Sequence, residues 1–98
     1  MERFSSRTLD ELGRLTLHSE LREMLGLGTG DKVCLTIVGT IIVLQRAEGE
    51  IEPRCAVSQM NDLGMIELPS EHRQTLGWKE KEKIALYHTD NMVILKSA

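Results

Sequence analysis

Three aromatic side chains, Phe4, Trp78 and Tyr87, are all that this 98-residue chain contains. With 41% hydrophobic residues, the core must be aliphatic and modest in size, enough for one domain. Cysteine is nearly as scarce. Cys34 lies in an apolar run and Cys55 in a polar stretch, a number and spacing that fit neither a disulfide framework nor a zinc site. Both are expected as free thiols, with Cys34 a small core residue whose burial suppresses its reactivity. Long hydrophobic runs are missing too: IVGTIIVL at 37–44 is the longest, far short of the roughly 20 residues that span a bilayer. No apolar stretch follows the basic residues of MERFSSRTLD at the start. The expectation is a soluble, cytoplasmic, unexported protein with no membrane partner. Nor is there an excess of positive charge. Twelve Lys and Arg stand against 15 Asp and Glu, for a formal charge of −3. Residues 1–49 hold 6 basic and 7 acidic side chains and residues 50–98 hold 6 and 8, so neither half is a basic tail. The balance does not suggest wholesale polyanion binding, so any nucleic-acid site must be a local arrangement.

What the chain does have is a repeat. At an offset of 51, residues 5–47 align without a gap on residues 56–98. Leu12, Gly13, Leu17, Ser19, Glu20, Arg22, Leu25, Gly26, Lys32, Leu35 and Leu44 meet Leu63, Gly64, Leu68, Ser70, Glu71, Arg73, Leu76, Gly77, Lys83, Leu86 and Leu95. Between the copies, EGEIEPRC at 48–55 is acidic, contains a proline and belongs to neither, which marks it as a linker.

Each copy has the same order of local signals. Residues 5–9 and 14–17 alternate around Leu12-Gly13, which predicts two short strands joined by a glycine turn. Ser19 is a plausible N-cap for a helix of about two turns that ends at Leu25, with Gly26 as its stop. Apolar runs at 32–38 and 40–46 flank Gly39 and predict a β-hairpin; in the second copy KIALYH and MVILK flank Asp90-Asn91. A 43-residue unit is near the size at which a single core fails. The copies must therefore share a core, and interleaved hairpins closing a small pseudo-twofold barrel would leave the fewest unpaired edges.

The stretch RTLDELGRLTLHSELREMLGLGTGDKV resembles the AbrB/MazE/SpoVT swapped-hairpin family of prokaryotic transition-state regulators and antitoxins. Asp10, Gly13, Arg14, Glu20, Leu21, Arg22, Leu25, Gly26, Gly30, Asp31 and Val33 stand at the places of that family's D-x-x-G-R turn, E-L-R helix and L-G-x-x-x-G-D-x-V exit. The second copy keeps Gly64, Pro69, Glu71, Arg73, Leu76 and Gly77, but has Ser58 and Met65 where the first has Arg7 and Arg14. It is similar to a degenerate copy. The resemblance implies a mostly β fold with short helices (α+β), a swapped-hairpin β-barrel formed by two AbrB-like repeats in one chain, as in MraZ-like proteins. Residues 1–98 would be one domain of two repeats, 5–47 and 56–98, joined at 48–55. The chain is shorter than MraZ-like proteins and has no long tail of the kind with which MazE-like antitoxins embrace a toxin.

The same resemblance implies a DNA-binding transcriptional regulator that contacts double-stranded DNA through Arg7, Arg14 and Arg22, with Arg73 the weaker candidate of the second copy. A guanidinium suits that role because it can clamp a phosphate or a guanine edge with two parallel hydrogen bonds. The bland alternative is that these arginines balance Asp10, Glu11, Glu20 and Glu23 on a solvated face, and Glu23 stands where the family often has a second basic residue. A homodimer of chains would bring two arginine sets together for a symmetric operator. The competing function is a non-DNA module whose degenerate face, with Met65 and Ile66, docks a protein partner, or an antitoxin-like partner on the same barrel.

Other features carry less. GLGTGDK at 26–32 looks like a phosphate loop, but it closes a helix where such a loop opens one. His18, His72 and His88 are not spaced as metal ligands and form no Ser-His-Asp order, so no catalytic residue, metal or cofactor is expected. His18 holds the family's proline position and is expected to be structural or near the binding face. Trp78 is expected to seal a core edge, and WKEKEK at 78–83 to be a solvated turn from which Lys79 and Lys81 add weak phosphate contacts.

Overall fold

The computed structural model describes residues 2–49, 54–89 and 91–98. Strand β1 (Glu2–Thr8) leads through a turn to β2 (Arg14–Thr16), helix α1 (Ser19–Leu25) and the hairpin β3 (Lys32–Val38) and β4 (Ile41–Arg46). The order then recurs as β5 (Ala56–Gln59), β6 (Met65–Glu67), α2 (Ser70–Leu76), β7 (Lys83–His88) and β8 (Val93–Ser97). The fold is mostly β with two short helices. The turn expected at Asp90-Asn91 includes Asp90, and the linker at 48–55 includes residues 50–53, all of which lie outside the described residues.

The strands joined by the first turn do not pair with each other. β1 pairs antiparallel with β7 of the other half, and β5 pairs with β3. The two hairpins join edge to edge through β4 and β8, which gives a six-stranded sheet ordered β1-β7-β8-β4-β3-β5. β2 and β6 form a separate two-stranded ribbon. In the ribbon Leu15 faces Ile66, and in the β4–β8 ladder Val43 faces Ile94. Both central pairs are residues 51 apart in sequence, which is the condition for an axis that exchanges the halves. Backbone bonds obey the same exchange: the Leu17 amide donates to the Gly64 carbonyl at 3.0 Å and the Leu68 amide to the Gly13 carbonyl at 2.9 Å. The hydrogen-bonded order begins at β1 and ends at β5, so no closed ring of ladders forms among the described strands.

Alternation along short strands sends one face inward. Val33 and Leu35 of β3, Ile42 and Leu44 of β4, Ile84 and Leu86 of β7, and Val93 and Leu95 of β8 are buried together with Leu9, Leu15, Leu17, Ile66 and Leu68. Trp78 joins this core, as its position after the helix-ending glycine implied. The Cα radius of gyration is 12.1 Å, close to the roughly 12.6 Å of a folded chain of this length.

Two sequence expectations need correction. Ser19 is the first helical residue and not the cap. His18 (φ −59°, ψ 147°) and its counterpart Pro69 (φ −56°, ψ 141°) occupy the cap positions, with no side-chain cap bond. The cross-half bond of Leu17 carries the strand one residue past β2, so the corner falls on His18, in a conformation that proline also adopts. The helices do end as expected, with left-handed Gly26 and Gly77. The second correction concerns the cysteines. Cys34 and Cys55 are not free: they are paired as a disulfide, Cα atoms 5.4 Å apart, within the ordinary range for such a bond. Val33 and Leu35 take the core-facing positions of β3, so Cys34 turns outward. The antiparallel pairing of Leu35 with Ala56 then brings Cys55 alongside it.

Candidate functional site

The ribbon of β2 and β6, with the turns and helices at its two ends, gathers the arginines singled out in the sequence. Its first turn is built by Asp10. One carboxylate oxygen, Oδ1, accepts the amides of Leu12 (2.9 Å) and Arg14 (2.7 Å), and the Asp10 carbonyl accepts the Gly13 amide (3.1 Å). This is a side chain mimicking a backbone turn. The other oxygen, Oδ2, accepts Arg14 Nε at 2.6 Å in a partly exposed ion pair. Partial burial disfavours the Asp10 carboxylate, but the bonds from the Arg14 amide, its guanidinium and the Leu12 amide outweigh it, so the pKa lies below the ordinary value.

The second turn repeats this frame without charge. Asn61 Oδ1 accepts the amides of Leu63 and Met65, each at 2.9 Å, and the Asn61 carbonyl accepts the Gly64 amide at 3.1 Å. Each tip exposes a leucine, Leu12 at 53% and Leu63 at 69%, beside an exposed acidic residue, Glu11 or Asp62.

The helix arginines cross between halves. Arg22 Nε donates to the Leu17 carbonyl at 3.1 Å, and its guanidinium lies against Gly64, where a Cβ would be 3.0 Å from Nε. Arg73 Nε donates to the Leu68 carbonyl at 3.0 Å, and its guanidinium occupies the space a Cβ on Gly13 would need. Each arginine thus floors the turn of the opposite half, which no spacing within one copy could have indicated. The repeated Gly13/Gly64 and Arg22/Arg73 matches were the available signal.

Arg7 sits on β1 opposite Ile84, its Nε buried without a hydrogen-bond partner among the described residues. On the same strand face, Ser5 Oγ lies 3.1 Å from His18 Nδ1. Burial first, and then the charge of Arg7, lower the His18 pKa below its usual value against an opposing effect of Glu20, and the lowering favours the neutral imidazole.

The four arginines therefore form two pairs. Arg14 and Arg73 share the Gly13 end of the ribbon, while Arg7 and Arg22 flank His18 near its Gly64 end. Three strand residues, 14–16, lie between Gly13 and Leu17, the residue level with Gly64, a rise of about 13 Å between the ends. Acidic groups interrupt the face: Glu67 stands opposite Arg14 in register, and Glu11, Glu20, Glu23 and Glu71 are exposed.

Elsewhere the loop at 26–32 is a turn tied to its own helix. Asp31 Oδ2 accepts the Gly28 amide at 2.7 Å, and Arg46 bonds both the Gly26 carbonyl and Asp31. The Gly28 bond leads in lowering the Asp31 pKa; slight burial opposes it and Arg46 supports it. Ile66 is fully buried at the ribbon centre, so it cannot belong to a docking face as expected; Met65 is half-buried. Lys79 and Lys81 are exposed. Among the described residues, no group of three or more His, Cys, Asp or Glu converges as a metal site. None of the described helices is long and apolar enough to cross a membrane.

No family model matches the chain, and no curated protein sequence does. Among solved structures it is similar to the solution structure of PHS018 from Pyrococcus horikoshii, with a TM-score of 0.56 and 22% identity over 99% of this chain and 94% of that one. At that identity the likeness concerns the fold alone.

Proposed function

We propose that this chain is a DNA-binding transcriptional regulator of the AbrB type, in which two repeats make one swapped-hairpin barrel that reads double-stranded DNA. The observation that carries the reading is the Asp10–Arg14 turn on the β2–β6 ribbon. It holds a partly exposed guanidinium on a two-stranded element, with Arg73 against the neighbouring Gly13, and with Arg22 against Gly64 and Arg7 near His18 toward the ribbon's other end. Guanidinium groups spaced along such an element suit phosphates and guanine edges, which present acceptors in pairs. The negative net charge and the glutamates on the face disfavour nonspecific binding, so affinity would come from a chosen sequence over a small footprint. Two chains side by side would double that footprint for a symmetric operator.

The test is a salt titration of binding to duplex DNA selected by the protein from a random pool. With about four basic groups neutralising phosphates per chain, log K falls against log salt with a slope near −3.6. Arg14→Ala weakens binding by about 1 to 3 kcal/mol. A flat salt response, or an Arg14→Ala variant that binds as well as the parent, rejects the reading.

The exposed Leu12 and Leu63 at the turn tips favour a second reading, a protein partner on the same face. Retention of a stoichiometric partner that is lost in Leu12→Ser/Leu63→Ser, together with no selection of DNA from the pool, supports it over the first.

A further inference from the structure

The two turns of the ribbon are an internal comparison. Both have the same backbone bonds: the Asp10 amide donates to the Arg14 carbonyl and the Asn61 amide to the Met65 carbonyl, each at 3.1 Å. Both use a single side-chain oxygen, Oδ1, to hold two amides. Asn61 builds this turn without a charge, so the turn itself does not require a carboxylate. The carboxylate occurs where the fifth residue is arginine, and amide and methionine replace the pair together. What Asp10 adds is its second oxygen, which takes Arg14 Nε at 2.6 Å.

We propose that Asp10 is a positioning residue for Arg14, fixing the guanidinium through Nε so that the two terminal Nη groups are presented end-on as a fork for an anionic or guanine-like acceptor pair. The ligand class rests on the DNA reading above; the positioning does not. A guanidinium held at Nε has fewer rotamers to lose when its outer edge meets a ligand, and the ordering cost of a long side chain falls on folding. The opposite half supplies the floor, since Arg73 lies against Gly13, the residue between carboxylate and guanidinium.

Positioning and simple neutralisation predict opposite signs. Asp10→Asn keeps Oδ1 as the turn acceptor, as Asn61 does, so circular dichroism and the melting profile remain those of the parent fold. It also removes a negative charge beside the ligand. If Asp10 positions Arg14, Asp10→Asn binds the selected duplex about three- to tenfold more weakly despite the gained positive charge. Equal or tighter binding shows that Asp10 merely neutralises Arg14, and overturns the proposal. The reciprocal graft is made in the second turn: Asn61→Asp/Met65→Arg gains more affinity than Met65→Arg alone, and equal gains also overturn it.

A readout without DNA separates the two claims. In 15N NMR the Arg14 Nε–Hε signal is slowed in solvent exchange in the parent and speeds up in Asp10→Asn. Loss of that signature in the parent overturns the positioning. A retained signature in a protein that selects no duplex from the pool leaves Asp10 as a positioning residue and removes the DNA reading alone.

Discussion

At the scale of single residues, the informative glycines are those that another half of the chain needs to be small. Gly13 and Gly39 both have left-handed backbones, φ +75° and +62°, and both would carry about 1 kcal/mol or more of strain as alanine. They differ in what lies beside them. Nothing is within 4 Å of a Cβ at Gly39, whereas at Gly13 the Arg73 guanidinium must leave, and with it goes the Nε bond to the Leu68 carbonyl. Gly13→Ala therefore costs about 1 to 3 kcal/mol more than Gly39→Ala, the additional part being a part-buried bond within the second half that breaks when the first half's new methyl group displaces Arg73. Urea unfolding of the two variants measures the difference; equal costs mean Arg73 yields freely and the cross-half contact is incidental. The site was legible at this scale only in its residue types. Asp10, Arg14 and Arg22 could be named from the sequence, but nothing within one copy indicates that Arg73 rests on Gly13, or that Asp10 divides its two oxygens between a turn and a guanidinium.

At the scale of elements, the two helices begin and end alike and turn the same face inward, but bury it to different depths. α1 buries Leu21 and Leu25; none of α2's residues is fully buried, and His72 stands where Leu21 does. His72 Nδ1 is enclosed without a hydrogen-bond partner among the described residues, a cost that a leucine avoids while adding apolar contact. His72→Leu is expected to raise stability by about 1 to 2 kcal/mol, read as a higher denaturant midpoint at unchanged slope. A lower midpoint shows that the imidazole is satisfied in solution and that the site rejects a branched chain. Strand and helix positions were largely readable because their causes are local: alternation in β3, β4, β7 and β8, and left-handed glycines after Leu25 and Leu76. The failures have non-local causes. Ser19 has a capping residue's chemistry, but the cross-half bond of Leu17 moves the corner to His18. Cys34 sits in an apolar run, but its parity on β3 faces it outward, toward a cysteine 21 residues away that only the β3–β5 pairing brings near.

At the scale of the molecule, the exchange of strands determines which fragments can fold. Within residues 1–49 the hairpin β3–β4 has local partners, but β1, β2 and the free edge of β4 pair only with β7, β6 and β8. Alone, this half leaves β1 and β2 unpaired and β3 and β4 with one bare edge each, exposes Leu15, Ile42 and Leu44, and so has no folded monomer. Its partner surfaces are nonetheless self-complementary. Because the ribbon is centred on Leu15 and Ile66 and the hairpin junction on Val43 and Ile94, a second copy of residues 1–49 would set Leu15 against Leu15 and Val43 against Val43. It would also set Arg22 over the partner copy's Gly13 in place of Gly64. The expected outcome is a homodimer whose folding depends on concentration, as for any assembly without a stable monomer. Sedimentation of the 1–49 fragment gives twice the monomer mass at high concentration, and its circular dichroism collapses on dilution. A fragment that is folded and monomeric, or unfolded at every concentration, breaks the link between the equivalent central pairs and the symmetry inferred from them. Sequence could announce the repeat but not this exchange, because an offset of 51 is equally compatible with two copies lying side by side.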